Sequence, residues 1–208
     1  MPTAALSHVR VLDLTDVRGA LAGRILADLG ADVVKLEPVG GDRDRLRAPY
    51  AGNIVAADRS LAFLYRHANK RGGVLDLHDA DGWHRFLALC ERADVLLENL
   101  GPTEQARHGL APAEVRARHP HLIHVAVSDF GQTGPRAGWR LEPLPAFAAS
   151  GALFASGFPD RPPCAAPGYL THDCASVFAA CGALAALLDR ARHGDGQTIE
   201  VSVQEAGM

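Results

Sequence analysis

Short apolar runs alternate with stretches of helical spacing along most of the chain. "VRVLDL" (9–14) is a β-branched and leucine run. "ALAGRILADLG" (20–30) has helical spacing and ends on Gly30, a natural residue just past a helix end. "ADVVKLEP" (31–38) is the next strand, closed by Pro38. Two strands joined through a helix by short connections must run parallel, with a right-handed crossover. The pattern recurs: strand 72–77, helix 79–93, strand 94–99, short helix 112–120, strand 121–131, long helix from about 173 to 191, and a last strand within 193–206. This alternation predicts an α/β fold, a Rossmann-like, doubly wound and mainly parallel sheet with helices on both faces.

At 208 residues, 48% of them apolar, the chain can fill the core such a sheet requires. The net charge is −3, and no Lys/Arg-rich block stands out. Neither nucleic acid nor an anionic membrane surface is therefore an expected partner. All but two of the 21 basic residues are arginine; the exceptions are Lys35 and Lys70. The four cysteines (Cys90, Cys164, Cys174, Cys181) form no CxxC pair and are read as reduced thiols of a cytoplasmic protein. No signal peptide is recognised, and the longest apolar run, within 174–188, reads as a buried helix rather than a membrane span. No metal site is expected; His119, His121 and His124 are close in sequence but straddle a helix end and a strand start.

The first strand–helix turn, "DLTDVRGALAG", lacks GxGxxG, and no GxxxxGK[ST] occurs, so a dinucleotide or ATP site is not expected. An anion could still lie on the free N–H groups near residues 17–20, beside Arg18. "GDRDRLR" (41–47) spaces three arginines two apart, which an extended loop would put on one side. "NKR" (69–71) carries two charges of a possible phosphate clamp. The loops 38–60 and 131–145 are long, as functional loops often are.

The stretch "GYLTHDCASVFAACGALAALLDR" (168–190) puts a carboxylate, Asp173, at the mouth of the long helix. Spacing alone is compatible with a helix cap, a job Thr171 could share, or with a nucleophile. A free Asp has a pKa near ~3.9, and burial would raise it. A helix N-terminus offsets that by ~0.3–1 kcal/mol, so the carboxylate stays charged there.

Several segments resemble the class III CoA-transferases (CaiB/BaiF type), the family of formyl-CoA transferase, carnitine CoA-transferases and α-methylacyl-CoA racemase. They are "VLDLTDVRGALAGRILADLGADVVKLEP", "GGDRDR", "NKRGGVLDL", "ADVLLENLGP", "RHGL", "HPHLIHVAVSDFGQTGP" and "GALAALLDRARHGDGQTIEVSVQEA", in family order. The resemblance implies that residues 1–208 are the large, CoA-binding domain, incomplete at the C-terminus. The family's small second domain and its interlocked dimer would then need more chain, supplied either in a homodimer or by a partner carrying the C-terminal half. It implies no permanently bound cofactor; coenzyme A enters as acyl-CoA substrate, with a carboxylic acid as acceptor.

Carried over residue by residue, the resemblance makes Asp173 the nucleophile that forms a mixed anhydride and then an aspartyl-CoA thioester. CoA contacts would come from Val17, Arg18, Lys70, Arg71, Asn99 and Arg107. "VRGALAG" departs from the family's Ala-Gly-Pro turn. The racemase branch places a histidine where this chain has Glu142, so a 2-methylacyl-CoA racemase is a lesser alternative. A non-catalytic CoA-binding or scaffold subunit is another.

Overall fold

The computed structural model describes residues 4–208. Its first half contains β1 (Arg10–Asp13), α1 (Ala20–Asp28), β2 (Asp32–Glu37), α2 (Leu61–Arg66), β3 (Arg71–Val74), α3 (Ala80–Cys90) and β4 (Val95–Glu98). The second half adds α4 (Pro102–Arg107), α5 (Pro112–Arg118), β5 (Ile123–Ser128), α6 (Pro143–Ala149), α7 (Leu170–His193), β6 (Thr198–Ser202) and α8 (Val203–Ala206). The six strands form one sheet in the order β3-β2-β1-β4-β5-β6, and every neighbouring pair is parallel. The winding direction reverses between β1 and β4, which opens a crevice beyond their carboxyl ends.

Strand alternation fills both faces. Val11, Val33, Leu97 and Val125 point to one side, where they pack with Leu26 of α1 and the alanines of α7. Leu12, Leu36 and Leu96 point to the other, against Phe86 and Cys90 of α3 and Val115 of α5. Each such apolar side chain, buried fully, contributes ~1.5–3 kcal/mol. Gly30 follows the end of α1 with φ +101, and the N–H of Ala31 reaches back to Leu26, so the helix stops where the sequence predicts.

Three expectations need correction. Residues 43–46 of the arginine loop form a 3-10 turn rather than an extended segment, and Arg45 turns away to pair with Glu37. Residues 203–206 are helical, not strand, with the Ser202 hydroxyl accepting from the Glu205 N–H at the helix start. The long helix α7 is covered on one side only. Ala175, Ala179, Ala183 and Ala186 are buried, while Val177, Phe178 and Leu188 are exposed. Its length and mean hydropathy of 1.5 would suffice to cross a membrane, yet its alanine stripe packs on α1, β5 and β6. The small side chains let helix and sheet approach closely: a Cβ on Gly182 would come within 2.7 Å of Ile199.

Candidate active site

The crevice at the reversal of winding is a cleft of about 550 Å³, within the usual range for small-molecule sites. Leu14, Asp16, Val17 and Arg18 line it from the turn after β1, and Asn99 and Leu100 from the end of β4. Arg43 and Asp44 come from the 3-10 turn, and Arg47 directly follows it. Asp129 follows β5, Arg140 and Glu142 precede α6, and His172 belongs to α7.

The turn after β1 is held by a reciprocal latch. Asn99 Nδ2 donates to Asp16 Oδ1 at 2.6 Å, and the Asp16 N–H donates to Asn99 Oδ1 at 3.0 Å. Arg18 ion-pairs with Asp16 at 2.5 Å and reaches Asp129 at 3.3 Å. Burial alone would raise the Asp16 carboxyl, but Arg18 outweighs it and holds the group down to about 2. The latch thus fixes β1's loop against the ends of β4 and β5.

Asp173 lies in the first turn of α7, four residues in, so it is not the cap. The cap position is Tyr169, which makes no side-chain cap bond. The Asp173 carboxylate instead receives two hydrogen bonds from Arg66 Nη2, at 2.8 and 3.0 Å. Arg66 is the last residue of α2 and its side chain is 7% exposed, against 32% for Asp173. Its guanidinium lies 4.8 Å from the centroid of the Tyr169 ring. The Tyr169 hydroxyl accepts from Arg47 Nη1 at 2.7 Å, which ties this cluster to the cleft wall.

His172, the neighbour of Asp173, turns the other way. It is buried, lines the cleft, and its Nδ1 has no partner among the described residues. Burial pushes its pKa below the usual histidine range, with Asp129 and Asp16 opposing that shift. It is therefore neutral at pH 7.

The structure brings some predicted contacts together and separates others. Val17, Arg18 and Asn99 line the cleft. Lys70 does not: its ammonium is buried against Asp13 Oδ2 at 2.6 Å, the Ala20 carbonyl at 2.7 Å and His67 Nδ1 at 3.1 Å. Arg71 is exposed at the start of β3 and grips Asp32 at the amino end of β2. Arg107 lines a separate hollow beside Trp83, His78 and His108. Glu142 is at the cleft, as the N-cap residue of α6.

Sequence reading singled out Arg47 only as one of the three arginines of "GDRDRLR", and it missed Tyr169 and Arg66. The one available signal was an arginine inside the otherwise apolar run "LAFLYR" (61–66). Helical spacing there put Arg66 on the same short element as the buried Phe63, but nothing in sequence linked it to residue 173.

Residues 6–208 match CoA-transferase family III. An acetyl-CoA:oxalate CoA-transferase of Acetobacter aceti is 40% identical over 97% of this chain and 51% of its own length. A succinyl-CoA:(R)-benzylsuccinate CoA-transferase subunit of Thauera aromatica is 35% identical over 96% of this chain and 49% of its own. The crystal structure of a CaiB/BaiF family protein from Brucella suis superposes with a TM-score of 0.87 at 29% identity, covering 100% of this chain and 54% of that one. The chain spans about half the length of the curated relatives it matches. With the sheet order, the cleft at its switch point and the match over almost every residue, the chain belongs to CoA-transferase family III.

Proposed function

We propose that this chain carries the covalent half of a CoA transfer between carboxylic acids, with Asp173 as nucleophile. The observation that supports it most is the Asp173 carboxylate itself: it is part-exposed, in the first turn of α7, and clamped by Arg66, outside the cleft lining but tied to it through Tyr169 and Arg47. A capping role does not account for that geometry.

In this reading an Asp173 oxygen attacks the thioester carbonyl of an acyl-CoA. The C–S bond breaks and CoA leaves as thiolate. The product is a mixed anhydride on Asp173. The thiolate then attacks the aspartyl carbonyl carbon, the donor acid leaves as carboxylate, and an aspartyl-CoA thioester remains. An acceptor carboxylate reverses the two steps. One difficult exchange becomes several easier ones. In the cleft, Val17, Arg18 and Asn99 shape the turn against which CoA lies. Arg43 and Arg140, whose side chains make no hydrogen bond among the described residues, offer their charge to its phosphates.

Intact-mass spectrometry after mixing with acetyl-CoA or succinyl-CoA tests the proposal. A CoA- or acyl-sized gain that peptide mapping places on Asp173, and that Asp173→Asn abolishes, supports it. No adduct with either thioester counts against it, and leaves a CoA-binding or scaffold role as the better account.

A further inference from the structure

We propose that Arg66 is the seat for the acid substrate's carboxylate, both the acid released from the donor and the acceptor that replaces it. This rests on Asp173 being the nucleophile. In the resting chain the nearly buried guanidinium faces one negative charge, the Asp173 carboxylate. Acylation removes that charge. In the aspartyl-CoA thioester Asp173 is neutral, and the guanidinium is left buried and uncompensated, which is costly.

The guanidinium cannot swing away cheaply, because it belongs to the last turn of α2 and lies against the Tyr169 ring. The thioester stage is also the one at which a free acid carboxylate must be near the reacting carbon: the donor acid has just left it, or the acceptor is about to attack it. An acid carboxylate held by Arg66 restores the charge balance and stands beside the carbon it attacks.

The donor set fits this exchange. Asp173 draws both of its bonds from Nη2 alone, while the buried Nε–H has no partner among the described residues. A carboxylate gripping the Nε–Nη2 edge takes two parallel bonds, the stronger fork geometry for such a pair. Balance is kept at each step. The acceptor oxygen bonds to the aspartyl carbon, the C–S bond breaks, and CoA thiolate leaves. The Asp173 carboxylate returns to Arg66 when that thiolate takes the acceptor's acyl group.

The test loads the full chain with succinyl-CoA and then discharges the isolated adduct. One discharge uses acetate, succinate or oxalate; the other uses hydroxylamine, which is neutral at pH 7. The readout is the ratio of carboxylate to hydroxylamine discharge rates, followed by intact mass. Arg66→Met is expected to lower that ratio at least tenfold, and Arg66→Lys to give an intermediate value. A merely structural role for Arg66 would move both rates together. If Arg66→Met does not load, Arg66→Lys carries the comparison, since it keeps the charge and loses the fork. Ratios in the variants equal to the wild-type ratio overturn the inference and leave the transferase reading standing. A wild-type chain that forms no adduct overturns both.

Discussion

His67 shows how a single buried residue makes stability depend on pH. It ends α2 beside Arg66, stacks on Phe63, and its Nδ1 lies 3.1 Å from the Lys70 ammonium. A cation that close means Nδ1 accepts and the ring is neutral. Burial, reinforced by Lys70, pushes its pKa down to about 3. In the unfolded chain it titrates near ~6.5. Between those values the unfolded state binds a proton that the folded state refuses, so the stability His67 confers is complete above ~6.5 and is lost as pH falls toward about 3. One such proton changes stability by ~1.4 kcal/mol per pH unit. Urea denaturation at pH 7 and pH 5 should therefore show a loss about 2 kcal/mol smaller in His67→Asn than in the wild type. The asparagine oxygen can still accept from Lys70 but takes up no proton. Equal losses in the two proteins would show that other groups set the acid limit.

At the scale of elements, α3 contains a glycine that helix propensity would have replaced. Gly82 lies in the first turn of α3, and its N–H donates to Asp79 Oδ2 at 3.3 Å. In an open helix Gly→Ala gains up to ~1 kcal/mol. Here an added Cβ would stand 1.9 Å from the Asp76 carbonyl oxygen, a backbone atom that cannot rotate aside. The loop after β3 crosses the helix start at that distance. Overpacking typically costs ~1–3 kcal/mol, which exceeds the propensity gain. Gly82→Ala should lower the thermal midpoint, and calorimetry decides the sign. A raised midpoint would mean that the loop yields and propensity wins.

For the molecule as a whole, the two lysines are internal ties, not surface charges. Lys70 pairs with Asp13 at 2.6 Å, with both side chains essentially unexposed. Lys35 pairs with Asp42 at 2.8 Å and donates to the Thr15 carbonyl at 2.6 Å. These contacts join β1, β2, the loop before α2 and the loop before β3 beneath the cleft. Burial alone would raise the Asp13 carboxyl, but Lys70 and Lys35 hold it down to about 2. Removing one member of such a buried pair strands the other, which typically costs ~3–5 kcal/mol. Asp13→Asn should reduce unfolding free energy by about that amount in urea titrations. The double variant Asp13→Asn/Lys70→Met should recover part of it, because no stranded ammonium remains. A double variant as unstable as the sum of its single variants would mean the two residues act independently.

Much of this was decided locally. The periods of apolar residues, the helix stop at Gly30 and the short connections sufficed for parallel strands wrapped by helices on both faces, because those signals act within a few residues. The segments of "ENLGP" and "DFGQTGP" type were enough for the family, which the match over residues 6–208 bears out. Short helices were less visible: α2, α4 and α6 hold six or seven residues each, too few for a periodic pattern. What each charge does was not local at all. Lys70 and Arg66 are four residues apart, yet one is tied to Asp13 and the other grips Asp173, 107 residues away. An isolated arginine or lysine reads in sequence as a solvated charge. Only the tertiary fold, which brings β1, α2 and α7 within reach of one another, makes one a buried tie and the other the partner of a carboxylate, since an ion pair is fixed by distance in space and burial, and neither is a property of the neighbouring residues.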